Sequence, residues 1–382
     1  MAYRFFLVLL LLTACRGGNP SPPGADGSGP LPVSLDYARG FAASRQPGGW
    51  VLLTVNEPWP GAGRAYHYAL VPDSVSRATL PGADTLDGVI PTPVRRIVLT
   101  STTHIPALET LEAASTLVGF PGLDYISSPQ TLDRIARGEV AELGANEQLN
   151  TERVLETGPD LVVGFGVSDA PRAYRGIQQA GIPVIFNGDW TEQSPLGKAE
   201  WIKFFGLLLE KSRAAEIAFA TIEKEYLQAR ALARTAPEKP RVLSGALYRD
   251  VWYLPAGESW AARFLEDAHA NYLWADHPGT GSLSLSLEAV LERADQATAW
   301  VSPSQFTSYT EMREAQALYA RIPAFQDRAV FTYAATRGPG GGLLYFELGP
   351  ARPDLVLKDL IHYLHPGLLA DYKPVFFKPL DP

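Results

Sequence analysis

The 382-residue chain contains a single cysteine, Cys15, so no disulfide can form within it and nothing but packing can hold the fold together. Charge is also scarce. Asp, Glu, Lys and Arg make up 19% of residues against the usual quarter, the net charge is -8, and no Lys or Arg cluster supplies the footprint that nucleic acid needs. No stretch approaches the roughly 18 uninterrupted apolar residues of a membrane-spanning helix. Catalytic signatures are missing too: there is no Gly-x-Ser-x-Gly elbow, no His-Glu-x-x-His and no Gly-x-x-x-x-Gly-Lys, and the six histidines are scattered. An enzyme is therefore not expected. Gly and Pro are plentiful, at 34 and 32 residues, which fits a loop-rich domain.

The first residues carry a positive charge, Arg4, and then an apolar run from Phe5 to Leu12, too short to cross a bilayer but suited to an export signal. The run ends in Leu12, Thr13, Ala14 and Cys15, which resembles a bacterial lipobox. Residues 1–15 are thus expected to be a lipoprotein signal peptide with Cys15 as the acylated residue; an ordinary cleaved signal is the alternative. Residues 16–32 are almost wholly small, polar or Pro, a composition that cannot bury a core, and are read as a flexible linker. The expected location is the periplasmic side of the cell envelope, with membrane contact through the lipid anchor alone.

Residues 33–90 read as a small antiparallel β extension, with strands expected over Ser34–Ala38, Trp50–Asn56 and Tyr66–Val71. The rhythm then changes to buried strands alternating with helices, first over 91–195 and again over 236–382, which predicts an α/β fold of two lobes, each a parallel sheet with helices on both faces. Between them, 196–235 carries the longest helical pattern, with a break marked at Lys211 and Ser212. Even its second part would span about 33 Å at ~1.5 Å per residue, enough to link the lobes.

Two segments match each other. Glu147, Gln148, Leu149, Asn150, Thr151, Glu152, Arg153, Val154 and Leu155, continuing to Val163, resemble a first-lobe signature of the iron-siderophore, haem and cobalamin binding proteins of ABC importers. Ser284, Leu285, Ser286, Leu287, Glu288, Ala289, Val290 and Leu291, continuing to Val301, resemble its second-lobe counterpart. The resemblance implies two Rossmann-like lobes joined by one long helix, a small-molecule metal chelate as ligand, and an ABC permease dimer as partner. It implies docking by Glu152 and Glu288, no cofactor of the protein's own, and a monomer. The bland alternative for these glutamates is that each complements a helix dipole.

Ligands of open α/β sheets bind beyond the carboxyl ends of the strands. The candidates are therefore Thr102, Thr103 and His104 after the first strand, Tyr125 after the second, Trp190 and Glu192, then Trp252 and Trp260, and finally Arg337 and Tyr345. His104 could ligate iron or bond an anionic group, or simply cap the next helix. Arg337 could grip a carboxylate or instead bridge to Glu347. Of the tryptophans, including Trp274, one or two are expected to face ligand. His362 and His365 have a spacing open to metal but sit where histidines complement a helix end. By family frequency the ligand is expected to be a ferric siderophore. Haem or a corrinoid is the alternative within the fold, and a non-transport surface lipoprotein the alternative outside it.

Overall fold

Alternating burial along Phe41–Arg45 and Val51–Asn56, with Phe41, Ala43, Val51, Leu53 and Val55 turned inward, pairs these segments as β2 and β3 of a five-stranded sheet. The sheet runs β1 (Leu31–Pro32), β2, β3, β4 (Ala65–Pro72), β5 (Gly88–Thr92) in a computed structural model that describes residues 29–76, 80, 82, 85–146, 148–167 and 172–382. The expected signal peptide, Cys15 and most of the expected linker lie outside the described residues, as does Glu147. Three readings of this region change. The linker's end forms β1, the β4–β5 pairing is parallel, and Ser34–Ala38 is irregular backbone, not a strand.

The first lobe is built on continuous apolar runs that are buried along their whole length, β6 (Ile97–Leu99), β7 (Leu117–Phe120), β11 (Leu161–Gly164) and β12 (Val184–Phe186), with a short edge strand β8 (Ala141–Glu142). Their order is β12-β11-β6-β7-β8, all parallel, with a two-strand ribbon of β9 (Gly144–Ala145) and β10 (Gln148–Leu149) beside it. Four helices accompany these strands: α1 (Ile105–Thr110), α2 (Pro129–Ala136), α3 (Thr151–Thr157) and α4 (Arg172–Gln179).

The link between lobes is three helices where one was expected: α5 (Pro195–Glu200), α6 (Ile202–Leu208) and α7 (Ser212–Ala233). Every residue of α5 and α6 is buried, and the core that holds Phe204 and Phe205 also contains Phe41, Leu53 and Tyr68 of the N-terminal sheet and Ile97 and Leu99 of the first lobe. The extension is thus fused to the lobe through a shared core. Only α7, 22 residues and about 33 Å long, serves as the strut.

The second lobe repeats the plan with β16 (Asn271–Tyr272), β13 (Arg241–Ser244), β18 (Ala299–Val301) and β19 (Val330–Thr332) parallel and β20 (Lys378–Pro379) antiparallel at the edge. A three-stranded antiparallel sheet is appended: β14 (Ala246–Tyr248), β15 (Val251–Pro255) and β17 (Ser282–Leu285). Its helices are α8 (Trp260–Asp267), α9 (Leu287–Ala294), α10 (Tyr309–Ala315), α11 (Pro323–Gln326), α12 (Leu344–Leu348) and α13 (Pro353–Leu364), the last packed along α7. Among the described residues no helix is long and apolar enough to cross a membrane.

Candidate ligand groove and docking glutamates

Large apolar side chains normally retreat from solvent, yet Tyr125, Tyr248 and Tyr253 are exposed in loops or strands close behind the carboxyl ends of β7 and β13. A groove of about 1420 Å³ opens between the lobes. Its first-lobe wall is Trp190–Ser194, just after β12, and its second-lobe wall is Pro255, Glu258–Ala261, Arg263 and Thr280–Ser282. A third wall comes from the N-terminal extension: Asp36, Tyr37, Arg39, Gly40, Asn56, Glu57 and Pro60.

Of the residues picked from the sequence, Trp190, Glu192 and Trp260 meet in this groove. The Trp190 indole is held by a bond from Nε1 to Gly166 O at 3.1 Å. Trp260 stacks on Tyr345 with centroids 5.9 Å apart, and Lys198 Nζ of α5 sits 5.2 Å from its ring. Glu192 is buried, and its Oε1 accepts the amides of Arg39 and Gly40, both at 2.8 Å, and Trp201 Nε1 at 3.0 Å. That oxygen holds the third wall in place and is not open to a ligand.

The other picks are drawn elsewhere. Trp252 is fully buried, stacked on Trp300 at 5.4 Å with Nε1 bonded to Ser244 O, and belongs to the core of the second lobe; Trp274 is buried in the same core. Thr102, Thr103 and His104 form a single 3-10 turn against which α12 packs from the second lobe. His104 is sealed with its ring 5.6 Å from Phe205, and burial lowers its pKa against the pull of Asp189, keeping the imidazole neutral. It faces Asn187 and Asp189, not the groove. Tyr345 is buried between Trp260 and Tyr333. Arg337 bonds backbone in its own loop, Ala334 O at 2.9 Å and Gly341 O at 3.3 Å, with neither a ligand cradle nor a bridge to Glu347. His362 Nδ1 and His365 Nε2 contact the carbonyls of Leu369 and Ala268, which fits a helix-end role.

The run Gly338–Gly342 is a seam between the lobes. A Cβ on Gly338 would stand 2.6 Å from Ser127 Cα, and Cβ atoms on Gly340 and Gly342 would run into the carbonyls of Asp124 and Tyr125. Tyr125, 70% exposed, therefore lies at this seam. Glycine is required here for close approach of two backbones. Ser127 N donates to Glu347 Oε2 at 2.6 Å and Ser127 Oγ to Gly342 O at 3.1 Å, tying the loops together.

Burial pushes the Glu347 carboxyl up to about 7, against the amides of Ser127 and Ser128 and with help from the nearby charge of Glu109. The folded protein thus holds this proton more tightly than the unfolded chain, so the carboxyl's contribution is complete below about pH 4.5 and is lost as pH rises through about 7. In denaturant melts, the stability of wild type minus that of Glu347→Gln is expected to fall between those pH values and to level off above them. A difference that stays flat across the window would refute the assignment.

Lys198 and Asn187 were not picked from the sequence. Burial lowers the Lys198 pKa to about 8, opposed by Asp189 and Glu192, and its Nζ donates to the carbonyls of Asp189 and Trp190. Nothing in the local pattern distinguishes such a lysine from a solvated one on a helix face.

Glu152 and Glu288 are both exposed, each at the second residue of its helix, behind the side-chain caps Asn150 on α3 and Ser286 on α9. Each helix leads into a parallel strand, β11 or β18, so it runs back along its sheet and its N-terminus stands at the carboxyl, groove-side rim of its lobe. Backbone amides at the start of α9 and the Ser286 hydroxyl hold Glu288 below the ordinary carboxylate range.

A family model described as periplasmic binding protein matches residues 97–336. An uncharacterized lipoprotein of Methanocaldococcus jannaschii is 26% identical over 298 residues, 76% of this chain and 69% of the relative. Among solved structures, a periplasmic haem-binding protein of Pseudomonas aeruginosa superposes with a TM-score of 0.55 at 20% identity, covering 76% of this chain and 99% of that one. The periplasmic vitamin B12 binding protein of Vibrio cholerae gives 0.51 at 14% identity, covering 71% and 97%. A possible iron-binding, periplasmic solute-binding protein of Staphylococcus epidermidis gives 0.57 at 18% identity, covering 72% and 100%. These likenesses agree with the two parallel-sheet lobes and, with well over half the chain matched by one family model, the protein belongs to the periplasmic binding protein family.

Proposed function

We propose that this protein is the lipid-anchored solute receptor of an ABC import system, working on the periplasmic side of the cell envelope. It captures an iron-siderophore-type chelate between its lobes and presents it to a permease dimer through Glu152 and Glu288. The observation that carries the reading is the groove itself. At about 1420 Å³ it exceeds the roughly 300–1,000 Å³ of ordinary small-molecule pockets, and it offers Trp190 and Trp260 to a bulky, partly flat occupant. The family match supports capture and delivery, and the methanogen lipoprotein supports the anchor at Cys15. Haem or a corrinoid is the alternative occupant, favoured by the fold neighbours named for those ligands.

The test is calorimetric titration of the purified protein with four probes: a ferric trihydroxamate, a ferric tris-catecholate, haemin and cyanocobalamin. At least one is expected to bind with Kd of about 1 μM or tighter, near -8 kcal/mol. If none binds more tightly than about 1 mM, the receptor reading for metal chelates is wrong.

A further inference from the structure

The N-terminal extension is bound to the first lobe in an unusual way. Five consecutive residues, Asp36, Tyr37, Ala38, Arg39 and Gly40, give their backbone amides to two buried carboxylates. Glu200 takes the first three at 3.0, 2.8 and 2.8 Å, and Glu192 takes the last two at 2.8 Å each. Lys203 balances Glu200 at 2.6 Å, and the Tyr37 hydroxyl donates to Glu223 on α7 at 2.6 Å. Asn56 closes the arrangement, its N and Nδ2 donating to Gly40 O and Arg39 O at 2.7 and 3.1 Å. With its amides serving inward, the loop leaves the Asp36 and Arg39 side chains exposed at the groove, while Ala38 is buried beneath them. Next to Asn56, Glu57 takes a left-handed backbone with φ of 41°, a conformation a non-glycine residue keeps only when its surroundings impose it. Beside it, the Pro58 backbone packs closely on Gly188, just after β12.

We infer that the N-terminal extension is part of the ligand site, and that Asp36, Asn56 and Glu57 select a neutral or cationic ligand whose rim is rich in hydrogen-bond donors. Leaving aside the engaged Glu192, three exposed carboxylates border the groove, Asp36, Glu57 and Glu258, against two guanidinium groups, Arg39 and Arg263. Arg263 is paired with Glu266, whereas Arg39 Nη2 meets only the carbonyl of Asp36 and keeps its charge. The third wall thus sets Asp36 and Glu57 against Arg39 alone and is net negative, and a trianionic chelate meets repulsion where a cation meets attraction.

The inference rests on the receptor reading and deepens it, and the same four probes separate the two. The ferric trihydroxamate is used as a linear chelate with one free ammonium, charge +1; cyanocobalamin is neutral, haemin carries two propionates, and the tris-catecholate is 3-. The expected order of affinity is that order of charge, with at least about tenfold between its ends at low salt and less at high salt. In the double variant Asp36→Lys, Glu57→Lys, both at exposed positions, the tris-catecholate is expected to gain about tenfold and the cationic chelate to lose about tenfold. If haemin or the tris-catecholate binds wild type most tightly, or if the double variant leaves every Kd within twofold, the inference is overturned while the receptor reading stands. If no probe binds wild type, the receptor reading falls and takes the inference with it.

Discussion

Replacing Glu200 with alanine is expected to destabilise the protein by about 3–5 kcal/mol, the range found when one partner of a buried ion pair is removed. The side chain is fully buried, and its loss strands Lys203, 10% exposed, without a counter-charge. The amides of Asp36, Tyr37 and Ala38 lose their acceptor at the same time. Both effects act on one segment, so local opening is expected before global unfolding: limited proteolysis should cut near residues 34–40 in the variant and not in wild type. Glu200→Gln keeps an acceptor for the amides but not the charge for Lys203, and is expected to fall between the two. Urea melts placing Glu200→Ala within 1 kcal/mol of wild type would show that the carboxylate is dispensable.

Reversing both rim charges, Glu152→Lys with Glu288→Lys, is expected to reduce uptake of the bound chelate by more than about tenfold in cells, while the Kd of the purified variant stays within twofold of wild type. Exposed ion pairs add little affinity one at a time, but two matched charges on twin lobes set orientation and encounter rate, which is what delivery to a dimeric permease requires. Each single reversal is expected to give a partial loss. Both residues are exposed and neither lines the groove, so the variants leave the fold and the ligand wall intact. Wild-type uptake by the double variant would exclude docking through these glutamates and favour the accessory-lipoprotein alternative.

The α/β plan was legible because strands buried on both faces appear as short unbroken apolar runs such as Leu161–Gly164, which only a sandwiched sheet accommodates. The matched glutamates were legible because capping chemistry repeats, Asn150 before Glu152 and Ser286 before Glu288. The middle of the chain misled for a physical reason. Helices α5 and α6 are enclosed on every side, so they show no polar face, and nothing in the sequence marks their charged residues Lys198, Glu200 and Lys203 as buried and bonded. Aromatics were ambiguous in the same way. Trp252 and Trp260 lie eight residues apart, yet one fills the core and the other borders the groove, and only the appended sheet that carries Trp252 decides which. The third wall had no signal at all, since nothing in residues 34–60 says which edge of the first lobe they will cover.

The three glycines at the lobe contact make the spacing of the two halves there sensitive to a single carbon. Backbone there meets backbone with no side chain between, so one added carbon at position 338, 340 or 342 must push the halves apart by a large fraction of an atomic diameter, and no smaller step exists. Spacing at this end of the molecule can therefore not be tuned by gradual substitution. Any adaptation to larger or smaller cargo has to occur at the opposite margin, where the walls are made of exchangeable side chains.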